Sequence, residues 1–580
     1  MILKGNQMLE NIDGAKLKSM TIEQLSALCE ELREKIIGSV MENGGHLSSN
    51  LGMVEITVAL HYVFNFPEDK VIFDVGHQCY THKMLSGRLD KFSSLRKRGG
   101  LSGFPKREES AYDCYNTGHA GTSVSAALGL AKARDLARKD YNVIAVIGDG
   151  SFNNGLVYEA FNSLRPLGTN ILVIINDNGM SISPTVGSMH EYLEALSADE
   201  EEQYHKHRRA GIFEKFGFAY EGVFDGNDLA AMIAELTKIK EMLRTQSVIL
   251  HVLTKKGKGY SFCEENPEAT HGIGVKPAAV SVEYSQVLGE KLCELAANDD
   301  KIVAVTAAMT GSLGLSPFFE KYPERAIDVG ICEEHATILC ASMAAEGYKP
   351  YYAVYSTFLQ RSFDEIVIDI CSQNLPVTIC IDRAGISGAD GETHQGVFDL
   401  SFLSFIPNLT IAVPKDKDEF AAMLEFSAGY AKPLAIRYPR ACTHSFGNVS
   451  PVEEGTWEML EEGEGAAILA CGERAIARAY KTVKQAGACG RVMIVNARFI
   501  KPLDGNMLEK LRGRHIITVE DNMLAGGFGS LVAEYFADSD TKVKIFAYAD
   551  KFIEQGGVAE LMDDYGLNVG DMADYIRKIL

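Results

Sequence analysis

Short apolar runs, each long enough for one buried strand, alternate with helical patterns along most of this chain of 580 residues. In the first part of the chain the pattern predicts strands at Val71–Val75, Asn142–Ile147 and Ile171–Asn176. Helical spacing of apolar residues predicts helices at Ser123–Lys139 and Asn154–Leu164. Strands that alternate with helices in this way form a parallel sheet covered by helices on both faces. The sequence therefore predicts the α/β class.

The alternation falls into three blocks, which predict three doubly wound α/β domains in series at 1–275, 282–446 and 452–580. An amphipathic helix is expected at Thr21–Glu42. We interpret Glu264–Val282, which is rich in Pro, Gly and Ala, as a linker, and we place a second boundary at 447–451. The strands predicted in the later blocks are Ile302–Thr306, Ala326–Ile331, Tyr351–Tyr355, Val377–Ile381, Leu409–Val413, Ala466–Ala470, Val492–Asn496 and His515–Glu520.

The charge of the chain argues against nucleic acid and membranes as partners, and its cysteines indicate the compartment. With 57 Lys and Arg against 78 Asp and Glu, the net charge is −21, which disfavours nucleic acid and anionic membrane surfaces. No apolar run approaches the ~20 residues that span a bilayer, and the start of the chain lacks the apolar core of a secretory signal. The twelve cysteines are scattered without a CxxC pair, as reduced thiols are. We expect a cytoplasmic protein.

Polar residues follow two predicted strands of the first block. Gly148-Asp149-Gly150 comes after Asn142–Ile147, and Asn178 comes after Ile171–Asn176. Because ligands of an open parallel sheet bind at the carboxyl ends of its strands, we expect both groups at one binding site. Carboxylate and amide oxygens are ligands that Mg²⁺ prefers, and glycines let backbone amides approach a phosphate. This spacing is typical of enzymes that bind thiamine diphosphate through Mg²⁺.

Further segments carry a resemblance that runs from about Ile36 to Gly557. The chain resembles the 1-deoxy-D-xylulose-5-phosphate synthase family within the transketolase-like enzymes. The segments that carry it are Gly45–Gly52 (GHLSSNLG), Asp74–Gln78 (DVGHQ), Lys255–Tyr260 (KKGKGY), Glu333–Ala336 (EEHA), Tyr355–Arg361 (YSTFLQR), Asp382–Gly385 (DRAG), Gly388–Gly396 (GADGETHQG) and Arg437–Arg440 (RYPR).

The resemblance implies thiamine diphosphate and Mg²⁺ as cofactors. It implies that Glu333 hydrogen-bonds the aminopyrimidine ring of the cofactor and favours the tautomer that activates it. The residues it implies as catalytic are Glu333, His46, His77, His394 and Asp390. The implied metal ligands are Asp149, Asn178 and the carbonyl of Met180. The implied cofactor contacts are His77, Gly118, His119, Ala120, Gly150, Ser151, Asn178, Lys256, Tyr260, His271, Glu333 and Phe358.

The substrates implied by the resemblance are pyruvate and D-glyceraldehyde 3-phosphate. Arginine forks suit a phosphate monoester, and the resemblance places Arg361, Arg383 and Arg440 on that phosphate, with Tyr355 nearby. Arg437 is the less favoured partner, and Asp390 and His394 match the acceptor side of the site.

We interpret the chain as a transferase that joins the two substrates into 1-deoxy-D-xylulose 5-phosphate and CO₂, as a homodimer, and so supplies isoprenoid, thiamine and pyridoxal synthesis. Transketolase or another thiamine-diphosphate ketol or acyl transferase is the alternative, and pyruvate consumption with CO₂ release separates the two. A catalytically silent cofactor-binding relative is a second alternative. A nicotinamide dehydrogenase is a third, because Gly526-Gly527-Phe528-Gly529 follows a predicted strand but lacks the third glycine of GxGxxG.

Some segments depart from the family pattern. The stretch Gly187–Gly211 is shorter than the long loop typical of the family, and Gly118-His119-Ala120 lacks the hydroxyl of the usual Gly-His-Ser. These departures do not involve the predicted metal ligands or Glu333, so we expect them to affect substrate fit and closure of the site.

Overall fold

The computed structural model describes residues 9, 12–181, 184–197, 211–274 and 282–580. It divides the chain into two compact units, Met1–Lys276 with Gly330–Cys332, and Pro277–Val329 with Glu333–Leu580. The finer division into three domains stays a prediction.

The strands are numbered in chain order. They are β1 Lys70–Phe73, β2 Val143–Gly148, β3 Leu172–Asp177, β4 Phe218–Asp225, β5 Ser247–Leu253, β6 Val282–Glu283, β7 Ile302–Thr306, β8 Ala326–Asp328, β9 Lys349–Tyr355, β10 Thr378–Asp382, β11 Thr410–Ala412, β12 Leu434–Arg437, β13 Ala441–Cys442, β14 Glu458–Glu461, β15 Ala467–Cys471, β16 Met493–Asn496, β17 Phe499–Lys501, β18 His515–Met523 and β19 Lys542–Tyr548.

The α-helices of the first unit are Gly14–Ser19, Ile22–Asn43, Ser48–Gly52, Val54–Val63, Tyr80–Lys83, Ser123–Leu136, Asp149–Phe152, Gly155–Leu167, Ser188–Ser197, Gly211–Phe216, Leu229–Met242 and Ser261–Glu265. Those of the second unit are Tyr284–Ala296, Ser316–Lys321, Glu333–Ala345, Ser356–Leu359, Phe363–Glu365, Asp399–Leu403, Lys417–Ala428, Glu473–Ala486, Gly505–Lys510, Phe528–Tyr535, Val558–Asp564 and Val569–Ile579.

The first unit contains a parallel sheet with the strand order β1-β2-β3-β5-β4. Successive side chains of a strand point to opposite faces, and the sheet has a core on each face. Ile144 and Val146 of β2 belong to the core that includes apolar residues of the helices Ile22–Asn43 and Val54–Val63. Ala145 and Ile147 belong to the core that includes residues of Ser123–Leu136 and Gly155–Leu167. Helices therefore cover both faces, and the α/β prediction is confirmed.

Besides the two-stranded sheet of β6 and β13, the second unit contains two sheets, of seven and of five strands. One has the order β17-β11-β12-β10-β9-β7-β8 and is parallel except for β17; the other has the order β14-β16-β15-β18-β19 and is parallel except for β14. The antiparallel strand β17 comes from the third predicted block but pairs with β11 of the second. The two blocks are therefore joined by backbone hydrogen bonds, which the boundary at 447–451 did not predict.

Most predicted elements are present, with ends that differ by no more than three residues from the prediction. The predicted helix Thr21–Glu42 forms as Ile22–Asn43, because Thr21 and Gln24 make a capping box at its start. The strand predicted at Ala326–Ile331 ends at Asp328. The pattern did not predict β4, β5, β6, β12, β13, β14, β17 or β19. Most side chains of β4 are half-buried, and β12 and β17 have only four and three residues.

The linker prediction is wrong for its first half. Residues 264–274 fold onto the first unit: the Ser48 N–H donates to the Thr270 carbonyl (3.1 Å), and Gly45 and Ile273 exchange two backbone hydrogen bonds of 2.8 and 2.7 Å. These bonds hold the segment against the loop that carries His46. Residues 275–281 lie outside the described residues, as does most of the shortened stretch, at 198–210.

Candidate functional site

The predicted metal ligands of the first unit lie at the ends of the neighbouring strands β2 and β3. Gly148 at the end of β2 is in register with Asn176 of β3. The Asn178 amide N–H donates to Asp149 Oδ1 at 3.5 Å, and the Thr185 hydroxyl donates to Asp149 Oδ2 at 2.6 Å. The structure thus brings Asp149 and Asn178 together, as their positions after adjacent strands predict.

This pair has the buried oxygen atoms and the negative charge that suit a cation. Asn178 Oδ1 is buried and has no hydrogen-bond partner within the described ranges. Burial raises the pKa of Asp149 to about 7, and the charge of Asp177 acts in the same direction. Because Mg²⁺ prefers such hard oxygens, the residues present fit this ion, with the Met180 carbonyl on the same loop as a predicted third ligand. This pair is not a cluster of three or more His, Cys, Asp or Glu side chains, and the described part of the chain contains no such cluster that could hold a metal ion.

A tightly packed loop with a buried cation adjoins the pair. A Cβ on Gly150 would lie 2.6 Å from the Ser181 Cβ, so a larger residue would push the two segments apart. The buried Lys256 Nζ donates to the Ser181 carbonyl at 2.5 Å. Burial lowers the pKa of Lys256 to about 8, and the charge of Asp149 opposes this. A buried ammonium at this edge of the sheet fits an anionic group such as a diphosphate. Tyr260, predicted with Lys256, lies immediately before the helix Ser261–Glu265.

Three of the predicted histidines form a cluster. The ring centroids of His46 and His77 are 5.1 Å apart, and those of His46 and His77 lie 5.4 and 5.2 Å from that of His271. Burial lowers the pKa of His271 well below its usual range, and the charges of Lys256, His77 and His46 add to the effect. The cluster therefore combines a neutral imidazole with two others within a short distance, which suits proton transfer.

Asn50 connects the two loops that carry His46 and His77, a role that its position in the sequence did not predict. Its Nδ2 donates to the His46 carbonyl and to the His77 carbonyl, both at 2.7 Å, and its Oδ1 accepts from the Tyr80 N–H at 2.9 Å. Asn50 is buried. One side chain thereby sets the spacing of the two histidine-bearing loops. Its place in the Gly45–Gly52 motif was the available signal.

Asp74 holds the loop that contains Gly118, His119 and Ala120 in position, as Asn50 does for the histidine loops. This aspartate follows β1 directly, and its carboxylate accepts from the N–H groups of Gly121 (2.8 Å) and Ser123 (2.9 Å). The Ser151 hydroxyl also hydrogen-bonds it and works against the rise in its pKa that burial causes. The side chain of Asp74 thus joins the predicted contacts after β1 and β2.

In the second unit, Glu333 is the first residue of the helix Glu333–Ala345 and is only 2% exposed. Burial raises its pKa to about 7, and the Arg361 guanidinium opposes this rise. The Arg361 Nε lies 3.5 Å from Glu333 Oε2 and 3.9 Å from Glu334 Oε1. Glu333 Oε2 is buried without a hydrogen-bond partner among the described residues. This orphaned carboxyl oxygen fits the ring nitrogen that the resemblance assigns to it. Arg361, expected on a phosphate, lies beside Glu333.

Two aromatic rings of the second unit stack on each other, and Arg383, which is predicted to bind phosphate, lies over one of them. Tyr355 and Phe358 stack with centroids 5.7 Å apart, and His394 packs edge-on to Phe358 at 5.6 Å. The guanidinium of Arg383 lies 4.2 Å from the centre of the Tyr355 ring and pairs with Asp382 Oδ2 at 2.7 Å. Four predicted residues of the second unit are therefore neighbours.

Asp390 and His394 lie at the two ends of the short 3-10 helix Gly391–Thr393. The His394 Nδ1 is 2.8 Å from the Thr393 hydroxyl, which fixes the plane of the imidazole. Gln395, the next residue, is buried and holds this loop in place, a role that the motif did not reveal.

Arg437 and Arg440 have different environments in the structure. Arg437 is buried, and its guanidinium binds Asp399 Oδ1 (2.8 Å) and the Asp521 carbonyl (2.7 Å), so its nitrogens serve the packing of the unit. Arg440 has 57% of its side chain exposed and pairs with Glu283 at 3.2 Å. The exposed arginine is the better candidate for an anionic ligand, because a surface pair is easily exchanged.

A side chain of the protein, Glu520, occupies the space inside the glycine-rich turn Gly526–Gly529. The buried Glu520 carboxylate accepts from the N–H groups of Phe528 (2.7 Å) and Gly529 (2.8 Å), and a Cβ on Gly527 would lie 2.4 Å from it. These are the amides that a dinucleotide phosphate would use. The arrangement argues against the nicotinamide alternative.

The fold and the site define a transketolase-like enzyme of the thiamine-diphosphate class. The family model described as "Transketolase, pyrimidine binding domain" matches residues 280–444, and "Transketolase, C-terminal domain" matches residues 455–572. A solved transketolase from Campylobacter jejuni is 18% identical over 96% of this chain and all of that chain, at a TM-score of 0.46.

The chain belongs to the 1-deoxy-D-xylulose-5-phosphate synthase family. The model of that name matches residues 9–211 and 198–254. A 1-deoxy-D-xylulose-5-phosphate synthase from Caldanaerobacter subterraneus subsp. tengcongensis is 44% identical over 98% of this chain and 99% of its own. One from Carboxydothermus hydrogenoformans is 43% identical over 97% of both chains. The predicted family and its cofactors, thiamine diphosphate and Mg²⁺, are thereby confirmed.

No described helix combines the length and the apolar character that crossing a membrane requires.

Proposed function

We propose that this chain joins pyruvate to D-glyceraldehyde 3-phosphate, forming 1-deoxy-D-xylulose 5-phosphate and releasing CO₂. The observation that carries the proposal is the identity of 43–44% with synthases of that name over at least 97% of both chains. The buried, unsatisfied oxygens of Asn178 and Glu333 support it, because each suits the group that the resemblance assigns to it, a metal ion for Asn178 and a ring nitrogen for Glu333.

In this proposal Asp149, Asn178 and the Met180 carbonyl hold Mg²⁺. Gly150, Ser151, Lys256 and Tyr260 bind the diphosphate, together with the loop Gly118-His119-Ala120. Glu333 donates a proton to the aminopyrimidine ring nitrogen, which its raised pKa allows near neutral pH. Phe358 packs on that ring. When bound, thiamine diphosphate supplies the nucleophilic carbon and the electron sink for decarboxylation.

The remaining residues act on the substrates. His46 and His77 exchange protons with the carbonyl oxygen of the donor, and His271 contacts the cofactor. The three rings lie within about 5 Å of one another. Asp390 and His394 orient the aldehyde, and His394 gives its carbonyl oxygen the proton that carbon–carbon bond formation requires. Arg383, Arg440 and Tyr355 bind the phosphate. Arg361, which lies beside Glu333, is the third arginine proposed for the phosphate.

We further propose that the protein is a cytoplasmic homodimer that supplies precursors of isoprenoids, thiamine and pyridoxal. All twelve cysteines are free, as in a reducing compartment. Sedimentation equilibrium should give twice the chain mass of 63.4 kDa, and a mass equal to one chain would contradict the dimer.

The test of the activity is the product. Purified protein with Mg²⁺, thiamine diphosphate, pyruvate and glyceraldehyde 3-phosphate should form a pentulose phosphate, identified by mass spectrometry, with one CO₂ per product. Cleavage of a ketose phosphate without CO₂ would indicate transketolase chemistry instead. No turnover with either donor, despite bound cofactor, would indicate a silent relative.

The metal assignment has its own test. Asp149→Ala removes the charged ligand, so Mg²⁺-dependent binding of thiamine diphosphate, followed by titration calorimetry, should be abolished. Asp135→Ala, which removes an aspartate of the helix Ser123–Leu136, is the matched control and should bind as the wild type does. Unchanged affinity in Asp149→Ala would place the metal elsewhere.

A further inference from the structure

The loop that carries Asp390 and His394 is closed at its base. Gly385 and Gly396 exchange two backbone hydrogen bonds of 2.6 and 2.8 Å, and Asp390 and His394 lie between them. Within the loop Gly388 and Gly391 have φ of 99° and 72°, a conformation that favours glycine. The loop has little regular structure of its own, so its position depends on what surrounds it.

The Gln395 side chain fills the inside of this loop. It is 1% exposed. Its Oε1 accepts from the N–H groups of Ser387 (2.7 Å) and Gly388 (3.1 Å). Its Nε2 faces three carbonyl oxygens, those of Gly388 (3.3 Å), Glu554 (3.1 Å) and Ile553 (3.5 Å). Only this orientation of the amide pairs donors with acceptors.

Two of these carbonyls belong to a segment far away in sequence, Phe552–Gly557, which we call the C-terminal segment. It lies directly on the loop. The Gly556 N–H donates to the Gly388 carbonyl at 3.4 Å. A Cβ on Gly388 would lie 3.1 Å from the Gly556 carbonyl oxygen, and one on Gly391 would lie 3.3 Å from the Gln555 nitrogen. There is no room for the loop to move toward this segment.

A second group of bonds from the third block holds the start of the loop. The Asp521 carboxylate accepts from the Ile386 N–H at 3.0 Å and pairs with Arg474 at 3.0 Å, and Arg474 also donates to the Ile386 carbonyl at 2.8 Å. The third block therefore holds this loop at both of its ends.

We propose that Gln395 is a positioning residue for the acceptor aldehyde: by joining the loop of Asp390 and His394 to the C-terminal segment, it determines how well the aldehyde binds and reacts. The inference rests on the proposed function, since it takes that loop as the aldehyde side of the site. These contacts include none of the histidines assigned to the donor side, His46, His77 and His271. The selectivity for the second substrate thus depends on a segment about 160 residues after the loop in sequence.

Gln395→Glu tests the link with minimal change of shape. The variant keeps an oxygen for the Ser387 and Gly388 amides but sets a carboxylate oxygen against the carbonyls of Ile553 and Glu554. We expect kcat/KM for glyceraldehyde 3-phosphate to fall roughly ten- to thirtyfold, as for the loss of two hydrogen bonds. Pyruvate affinity, measured by calorimetry without the aldehyde, should stay within about twofold of the wild type, as expected for a donor site that these contacts do not touch. Hydrogen exchange should increase in the peptides 385–396 and 552–557 together.

Two further variants keep the test decisive. Gln395→Met removes the same hydrogen bonds without burying a charge and should give the same pattern if the Glu variant does not fold. Trp457→Phe, which deletes a buried hydrogen bond to the Phe499 carbonyl in the same unit, controls for general loss of stability. It should leave aldehyde kinetics and both peptides unchanged.

Wild-type aldehyde kinetics in Gln395→Met would overturn the inference, as would equal losses for pyruvate and aldehyde. If the wild-type protein itself forms no product from the two substrates, the proposed function fails instead. Exchange in the two peptides would then still report whether Gln395 joins them.

Discussion

At the scale of single residues, the site is built from ionisable groups taken out of water. Glu333 and Asp149 both have a pKa raised to about 7 by burial, and burial lowers that of Lys256 to about 8. A charge that is buried without a full set of partners costs free energy of folding, which binding of the complementary group recovers. Cofactor and metal binding should therefore stabilise this protein as well as activate it.

Glu333→Gln should change the pH dependence of stability. Folding raises the pKa of this carboxyl from its ordinary value of 4.5 to about 7. The folded chain therefore holds the proton more firmly, and the free energy of unfolding falls as the pH rises between these values, by about 3 kcal/mol at most. Thermal unfolding of the cofactor-free protein from pH 4 to 8 should show this fall in the wild type and a smaller one in the variant.

The same variant tests catalysis. Proton exchange at carbon 2 of bound thiamine diphosphate should slow by orders of magnitude, while cofactor binding weakens less, because the diphosphate end is untouched. Glu334→Gln, on the adjacent and more exposed residue, is the control. Exchange as fast as in the wild type would exclude Glu333 as the activating group.

Arg383→Ala and Arg440→Ala should each reduce kcat/KM for glyceraldehyde 3-phosphate roughly ten- to 150-fold. That range follows from losing hydrogen bonds to a charged group, about 1.5–3 kcal/mol. Kinetics with unphosphorylated glyceraldehyde should change much less. Arg512→Ala, which removes an exposed arginine paired with Glu509, serves as the control. If both aldehydes lose the same factor, these arginines are structural.

At the scale of elements, the functional loops follow strand ends, but side chains from other segments hold them. Asn50 joins the loops of His46 and His77, Asp74 holds the loop before Ser123, and Gln395 fills the loop after β10. Each is a buried polar side chain whose hydrogen bonds go mainly to backbone. Such contacts fix loop position at little cost only if every one of them is made.

Asn50→Ala should loosen both histidine loops at once. Three backbone groups lose a partner, and leaving buried polar groups unpaired costs about 1–3 kcal/mol each. We expect faster hydrogen exchange in the peptides 44–53 and 76–83, and a lower kcat. Asn43→Ala, which loses a single bond to the Ser93 carbonyl in the same unit, is the matched control. Equal effects of the two variants would show that Asn50 has no special role.

At the scale of the whole molecule, the second and third sequence blocks are bonded into one unit. Strand β17 completes the edge of the sheet that contains β11, and the Asp521 carbonyl accepts from buried Arg437 at 2.7 Å. Asn496 donates to both oxygens of buried Glu419 at 3.0 Å. These partners are all lost if the chain ends between the blocks.

A fragment of residues 282–446 should therefore not fold by itself, since it exposes a sheet edge and leaves Arg437 and Glu419 short of partners. The fragment 282–580 should fold. Circular dichroism and gel filtration of the two fragments check this. A monomeric 282–446 fragment with a cooperative melt would show that the boundary at 447–451 separates independent domains.

The sequence by itself determined the α/β class, the strand-end positions of Asp149 and Asn178, and the family. These depend on local information: apolar period, glycine and polar residues after strands, and motifs of a few residues. Because neighbouring parallel strands end at the same edge, the closeness of Asp149 and Asn178 also followed from the sequence.

Only the tertiary structure decided which side chains hold those motifs in place. It folded part of the expected linker against Gly45 and Ser48, turned Arg361 toward Glu333, buried Arg437 and left Arg440 at the surface. It also joined Gln395 to a segment about 160 residues away. Burial and hydrogen-bond partners depend on contacts between residues that are distant in the chain. The local pattern of a sequence therefore does not predict them.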